Sequence, residues 1–109
     1  MNRFLKHCGA KYPIVQAPMG WIARSQLASA VCNAGGLGII ETSSGETENC
    51  MAEIAKMKDL TDAPFGVNLP IMFLKDPAIL TRVCESGVKF VTTSAGSPRK
   101  FVGPLQEAG

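Results

Sequence analysis

The segment PIVQAPMGWIARSQ, residues 13–26, decides between two kinds of parallel β-sheet. Its first five residues, 13–17, are mostly apolar and predict a buried strand, and residues 24–33 predict the helix that follows. An open dinucleotide-binding sheet would carry the pattern G-x-G-x-x-G between its first strand and first helix. The connection here reads APMGWIARSQ and has no such pattern. The segment therefore favours a βα barrel over an open sheet.

The rest of the chain repeats this alternation of strand and helix three more times. The predicted strands cover residues 36–40, 63–68 and 89–93. The predicted helices cover residues 47–58, 76–86 and 97–109. Three of the four predicted helices, those over residues 24–33, 76–86 and 97–109, end in CNAGG, CESG and QEAG, where a glycine can take the left-handed conformation that closes a last turn.

Four such units predict an α/β fold that is the amino-terminal half of a TIM-type eight-stranded barrel, since a whole barrel needs about 250 residues. We expect residues 1–109 to be the first portion of a single barrel domain, truncated before its fifth strand. In the helix over residues 24–33, the spacing of the apolar side chains predicts an inner face made of Leu27, Ala30, Val31 and Ala34.

Composition and charge exclude several functional classes. The net charge is +2 with scattered lysines and arginines, which argues against a nucleic-acid partner. The longest apolar run, VNLPIMFL, is far shorter than the roughly 18 residues that span a bilayer. The amino end has no apolar signal-peptide core, so we expect a cytoplasmic protein without a membrane partner. Four cysteines without a C-x-x-C pair, and a single histidine, argue against a metal site or a disulfide framework.

Four motifs in order then carry a resemblance to a known family: YPIVQAPMGWI, LASAVCNAGGLGII, PFGVNLPI and GVKFVTTSAGSP. Together they resemble the start of the nitronate monooxygenases, formerly called 2-nitropropane dioxygenases. The resemblance implies an FMN-dependent βα barrel that acts with O2 on a nitronate or nitroalkane. The FMN-dependent enoyl-acyl-carrier-protein reductases have very similar opening motifs, so the motifs separate the two activities poorly.

The resemblance also implies which residues hold FMN. The segment Ala17, Pro18, Met19 and Gly20 matches the stretch that runs beneath the flavin ring and offers it backbone N–H groups. Proline fixes the turn, methionine supplies a polarizable surface, and glycine lets the backbone approach a flat ring closely. Without the other motifs, the segment would be read as a strand-ending turn. Asn68 matches a position whose side-chain amide reaches the flavin, although a lone asparagine after a strand is ordinarily a turn former.

The segment TTSAGSP matches the family's loop after the fourth strand, whose small residues face the substrate side of the flavin. The predicted substrate-pocket residues are therefore Thr93, Ser94, Ala95 and Gly96. The alternative is that the loop has no binding role and only leads the chain into the N-cap of the helix that begins near Pro98. Trp21 is expected to pack under a loop or to line the pocket entrance.

Other parts of the family's site have no counterpart here. Family members act on substrate with a histidine from the second half of the barrel, whereas His7 precedes the first strand. The phosphate site of such barrels comes from loops after strands seven and eight. We therefore expect no catalytic residue in this chain, a catalytic histidine beyond Gly109, and no activity from 109 residues alone. The alternative to an enzyme fragment is a chain without catalytic function, either a half-barrel or an inactive fragment. Such a chain could self-associate through the exposed edges of strands one and four.

Overall fold

The computed structural model describes residues 2–44 and 46–109, which form one parallel sheet with helices between its strands. The strands are β1 (Val15–Gln16), β2 (Leu37–Ile40), β3 (Gly66–Pro70) and β4 (Phe90–Ser94), and they lie in the order β1-β2-β3-β4. The helices are α1 (Arg3–Cys8), α2 (Ser25–Asn33), α3 (Thr47–Leu60), α4 (Ile79–Glu85) and α5 (Arg99–Ala108), with a 3-10 turn at Ile71–Phe73. The predicted α/β fold of four βα units is confirmed.

The two faces of the sheet are covered by different helices. Side chains alternate along each strand, so residues paired across strands share a face. Ile40, Val67 and Leu69 face the layer formed by α2, α3 and α4, where the main apolar core lies. Leu37 and Ile39 lie on the opposite, inner face and pack against Cys8 of α1. The inner face is thus covered by α1 at the amino ends of the strands.

Helix α1 covers that end through an aromatic contact and was not predicted from the sequence. The rings of Phe4 and Phe90 meet edge to face, with centroids 6.2 Å apart. Asn2 caps the helix, its Oδ1 accepting hydrogen bonds from the N–H groups of Phe4 at 2.9 Å and Leu5 at 3.3 Å. Gly9 ends it with a φ of 76°. A six-residue helix is too short to show a reliable apolar repeat, but these two caps are readable signals.

The predicted inner face of α2 is wrong. Its buried residues are Ser25, Ala28, Ser29 and Cys32, while Ala30 and Ala34 are exposed. The reason lies in β2, where Gly38 lets the helix backbone come very close. A Cβ atom at Gly38 would lie 2.7 Å from the Cα of Ala28. Only a face of small side chains fits against a strand at that distance.

Two strand edges carry exposed apolar side chains. On and beside the edge strand β1, Ile14 is 63% exposed and Val15 is 46% exposed. Beside the other edge strand, β4, an open apolar groove lies between α4 and the end of α5. In an eight-stranded barrel both edges pair with further strands. Among the described residues, no helix is long and apolar enough to cross a membrane.

Candidate functional site

The connections that follow the four strands meet at one edge of the sheet, because the strands are parallel. This carboxyl edge lies opposite the end covered by α1, and it is where βα barrels place their active sites. The predicted site residues lie on these connections or at the carboxyl end of a strand, except Asn68, which is the middle residue of β3. His7 lies on α1, at the other end of the strands.

The connection after β1 presents two adjacent backbone donors. The carbonyl of Met19 accepts hydrogen bonds from the N–H groups of Ile22 at 3.1 Å and Ala23 at 2.9 Å, which closes a tight turn. Within residues 2–44 and 46–109, the N–H groups of Met19 and Gly20 have no hydrogen-bond acceptor. Pro18 has no N–H group to offer. The segment APMG therefore exposes two free donors beside the half-exposed Met19 side chain.

Asn68 stands at the centre of a row of polar side chains on the inner face. Its side-chain Nδ2 donates to Ser94 Oγ at 3.1 Å, and its Oδ1 accepts from Thr92 Oγ1 at 2.8 Å. Its backbone carbonyl accepts from Thr42 Oγ1 at 2.6 Å. Asn68 itself is only 5% exposed. Its amide is therefore held in one orientation by two side chains of β4 instead of turning the chain.

The four predicted pocket residues separate onto two faces. Ser94 is paired with Pro70 and shares the face of Asn68, whereas Thr93 is paired with Leu69, which packs in the helix-side core. Ala95 and Gly96 have φ values of 53° and 152°, and the Ala95 carbonyl accepts the N–H of Met72 at 3.0 Å. Ser94, Ala95 and Gly96 therefore lie together at the carboxyl edge. Thr93 does not join them, because alternation turns its side chain toward the helices.

A buried carboxylate at the end of β2 is the feature that sequence reasoning missed. Glu41 is 3% exposed, and its Oε2 accepts hydrogen bonds from Ser43 N and Ser43 Oγ, both at 3.0 Å, and from Ser44 N at 3.1 Å. Its Oε1 accepts from Ser44 Oγ and from Arg24 Nε, the latter at 3.3 Å. We call Glu41, Ser43, Ser44 and Arg24 the Glu41 cluster. The run ETSS signals its local part, but Arg24 lies 17 residues away.

The Glu41 cluster holds Trp21 in an uncommon conformation. Trp21 has a φ of 65°, which is a rare value for a bulky residue. Its N–H donates to Ser44 Oγ at 3.0 Å, and the Arg24 guanidinium lies 4.8 Å from the centre of its ring. Its side chain is 68% exposed, so the prediction that it packs under a loop is wrong. Trp21 lies at the rim of the carboxyl edge, stacked on an arginine.

The Glu41 carboxylate is stabilised in its charged form. Burial raises the pKa of Glu41, but the hydrogen bonds from Ser44 and Ser43 outweigh burial and lower the pKa below its ordinary value. Two side chains from neighbouring parts of the fold lie close to the Glu41 carboxylate. They are the Arg24 guanidinium, whose Nε donates to Oε1, and the Cys50 thiol, whose pKa is raised by burial.

This lowered pKa predicts a pH dependence of stability. Since the folded pKa lies below that of the unfolded chain, about 4.3, Glu41 stabilises the fold above that pH and loses this effect as the pH falls through its folded pKa. Urea unfolding of the wild type and Glu41→Gln between pH 7 and pH 3 measures this. We expect the difference between the two free energies of unfolding to shrink below about pH 4. A difference that stays constant over the whole range would contradict the lowered pKa.

The remaining titratable groups make no second site. Within residues 2–44 and 46–109, no three His, Cys, Asp or Glu side chains are arranged to hold a metal ion. The cysteines Cys8, Cys32, Cys50 and Cys84 are free thiols in the structure.

Comparison with known proteins identifies the family. The family model described as nitronate monooxygenase matches residues 2–79. A carboxyl-CoA dehydrogenase of Mycobacterium tuberculosis, named for its 5-hydroxy-7a-methyl-1-oxo-octahydro-indene substrate, is 35% identical over 93% of this chain and 28% of its own length. A nitronate monooxygenase of Pseudomonas aeruginosa is 46% identical over 62% of this chain and 19% of its own.

A solved structure of FabK from Thermotoga maritima matches the fold over 100% of this chain and 35% of that one, with a TM-score of 0.91 and 32% sequence identity. The chain thus spans about a third or less of the proteins that it matches. The resemblance drawn from the four motifs is confirmed. The chain belongs to the nitronate monooxygenase family.

Proposed function

We propose that this chain forms the ring-side wall of an FMN site in an oxidoreductase that oxidises alkyl nitronates or nitroalkanes with O2. The observation that carries the proposal is the pair of free N–H groups at Met19 and Gly20 at the carboxyl edge of the sheet. Nitronate monooxygenases and FabK proteins are flavoproteins, which supports a flavin at this edge.

The residues present fit a flat heterocyclic ring with a polar edge. The two free N–H groups are donors for ring carbonyl oxygens, and Gly20 has no side chain to hold the ring away. Within residues 2–44 and 46–109, a Cβ atom at Gly20 would meet only Ser43 Oγ, at 3.6 Å. The side chains of Asn68, Thr92 and Ser94 supply a fixed polar surface on the same inner face.

The bound flavin would supply the redox chemistry, taking electrons from the substrate and passing them to O2. The residues of this chain would bind and orient the ring: Met19 and Gly20 through their N–H groups, and Asn68 through the amide that Thr92 and Ser94 hold. Ser94, Ala95 and Gly96 would line the substrate side. We assign no proton transfer to this chain, because His7 lies at the opposite end of the strands. The base and the phosphate site would come from the rest of a complete barrel, and the protein would work in the cytoplasm.

The test is a titration of FMN with the purified chain, followed by flavin fluorescence, with Gly20→Val as the diagnostic variant. We expect saturable binding by the wild type and affinity about tenfold weaker for Gly20→Val, a loss of about 1.4 kcal/mol, because the new side chain keeps the ring from the backbone. The matched control is Gly103→Val, since Gly103 lies on α5 and no described residue outside that helix lies near its Cβ position. Equal affinity of Gly20→Val and wild type would contradict a ring at this segment.

A second candidate is an oxidoreductase of acyl thioesters, which the extent of the matches favours. The coenzyme A thioester dehydrogenase and FabK, an enoyl-acyl-carrier-protein reductase, align with nearly the whole chain, whereas the Pseudomonas aeruginosa nitronate monooxygenase aligns with 62% of it. Steady-state assays of a protein that continues the barrel separate the two candidates. Turnover of nitronate with O2 supports the first, and turnover of an enoyl thioester with NADH or NADPH supports the second.

Self-association of the isolated chain is a separate question. Ile14 and Val15 leave an apolar surface at the β1 edge, and unpaired strand edges favour pairing between copies. Light scattering after size exclusion measures it. A discrete dimer supports a closed pair of half-barrels, and a folded monomer rejects that arrangement.

A further inference from the structure

Glu41 makes more polar contacts than a place in the core requires. A buried carboxylate is costly, and an apolar side chain of similar size commonly packs in such a position at no loss of stability. Glu41 instead accepts five hydrogen bonds, three of them from side chains. A fully satisfied network of this kind fixes one arrangement of the groups that donate to it.

The groups fixed by Glu41 lead to the connection after β1. The Oε1 atom binds both Arg24 Nε and Ser44 Oγ. Ser44 Oγ in turn accepts the N–H of Trp21 at 3.0 Å, and Arg24 stacks its guanidinium on the Trp21 ring. A backbone hydrogen bond also connects the two segments, because Glu41 N donates to the carbonyl of Ala23 at 2.9 Å. The turn over residues 19–23 is therefore fastened to the end of β2 at both Trp21 and Ala23.

These contacts hold Trp21 in a backbone conformation that a tryptophan rarely adopts. A non-glycine residue with a left-handed φ is strained, and such a residue keeps that conformation only where its surroundings impose it. Trp21 directly follows Met19 and Gly20, whose N–H groups have no partner of their own in the described residues. The hydrogen bonds within the turn are those to the Met19 carbonyl and one from Arg24 N to the Ile22 carbonyl at 2.9 Å, so the conformation of Trp21 depends on its contacts with Ser44 and Arg24.

We propose that Glu41 is a positioning residue for the binding segment. It acts through Ser44 and Arg24 to hold the turn over residues 19–23 in the one conformation that presents the N–H groups of Met19 and Gly20. The identity of the ligand as a flavin rests on the proposed function, whereas the ordering of the turn does not.

The test compares Glu41→Gln, Ser44→Ala and Thr61→Val. Glu41→Gln keeps the shape but sets an NH2 group against the N–H donors of Ser43 and Ser44. Ser44→Ala is the gentler variant: it removes the hydroxyl that accepts the Trp21 N–H and donates to Glu41 Oε1, and it leaves the Glu41 carboxylate and the backbone donors in place. Thr61→Val is the control: its hydroxyl is also buried and links Asn33 to Ala63, but it lies ahead of β3, at the amino edge of the sheet.

The readout is the backbone order of residues 19–23, measured by ¹⁵N relaxation, together with FMN affinity. We expect order parameters near 0.85 in the wild type and in Thr61→Val, and below about 0.6 in Glu41→Gln and Ser44→Ala. Where FMN binds, its dissociation constant should rise about tenfold in those two variants and stay unchanged in Thr61→Val. If Glu41→Gln does not fold, Ser44→Ala decides the outcome.

The outcomes separate the two proposals. Loss of order in the turn without FMN binding by any variant, the wild type included, would support the positioning role and reject the flavin. Residues 19–23 that stay ordered in both variants would overturn the positioning role, whatever the FMN affinity. Loss of order that also occurs in Thr61→Val would overturn it as well, because general destabilisation would then explain the result.

Discussion

Replacing Gly38 with alanine is expected to destabilise the chain by about 3 kcal/mol, enough to unfold a marginally stable domain. The reason is the close approach of α2 to β2. The new Cβ would lie 2.7 Å from Ala28 Cα and 2.8 Å from Ala28 C, and it would lie closer still to the Ala28 carbonyl oxygen. All three are backbone atoms, so no side-chain rotation relieves the overlap. Urea unfolding followed by circular dichroism measures the loss.

Gly103→Ala is the control for this prediction. Gly103 lies within α5, and apart from its own helix no atom of residues 2–44 and 46–109 lies within 4 Å of its Cβ position. Alanine in an exposed helix is ordinarily more favourable than glycine by about 0.5–1 kcal/mol, but the ring of Pro104 crowds a Cβ atom on the residue before it and opposes this gain. We therefore expect Gly103→Ala to change the free energy of unfolding by less than about 1 kcal/mol in either direction. A Gly38→Ala chain as stable as wild type would show that α2 does not pack on β2 as closely as described.

Replacing Asn68 with leucine is expected to reduce both stability and FMN binding. Thr92 Oγ1 would lose its acceptor and Ser94 Oγ its donor, which leaves the hydroxyl groups of half-buried Thr92 and exposed Ser94 without these partners. Such a loss costs about 2 kcal/mol. The amide proposed to face the flavin is removed at the same time, so FMN affinity should fall at least tenfold, or about 1.4 kcal/mol. Urea unfolding and flavin fluorescence measure the two effects.

Thr93→Val is the matched control, because it changes the neighbouring strand on the opposite face. The Thr93 hydroxyl makes no hydrogen bond within the described residues, and its strand partner is Leu69 of the helix-side core. We expect a stability change within about 0.5 kcal/mol and unchanged FMN affinity. If Thr93→Val weakened FMN binding as much as Asn68→Leu, the assignment of the flavin to the inner face would be wrong.

The strands and the location of the site could be predicted because both depend on local sequence. β2 and β4 were predicted to within one residue, since short apolar runs between glycines and polar residues define their ends. Ile79 and Val83 of α4 are buried and lie four residues apart, which is the spacing of one helix face. Parallel strands then place every strand-to-helix connection at the same edge, so the position of the site follows from topology alone.

The α2 face and the Glu41 cluster could not be predicted because both depend on partners distant in sequence. Large apolar residues make the obvious stripe on α2, but the helix turns Ala28 and Cys32 inward to meet Gly38. Glu41 resembles an exposed loop residue until Arg24 and the two serines surround it. In both cases tertiary packing overrides the local pattern.

The order of the sheet has a consequence for how the chain is made. Strand partners such as Val15 and Leu37, or Gly66 and Phe90, lie fewer than about 30 residues apart, so each strand can pair soon after it leaves the ribosome. The contact between Phe4 and Phe90 is different, because it joins the first helix to the last strand. Because Cys8 of α1 also packs with Leu37 and Ile39 of β2, α1 can cover part of the inner face during synthesis, and this cover is completed only when the fourth strand has emerged.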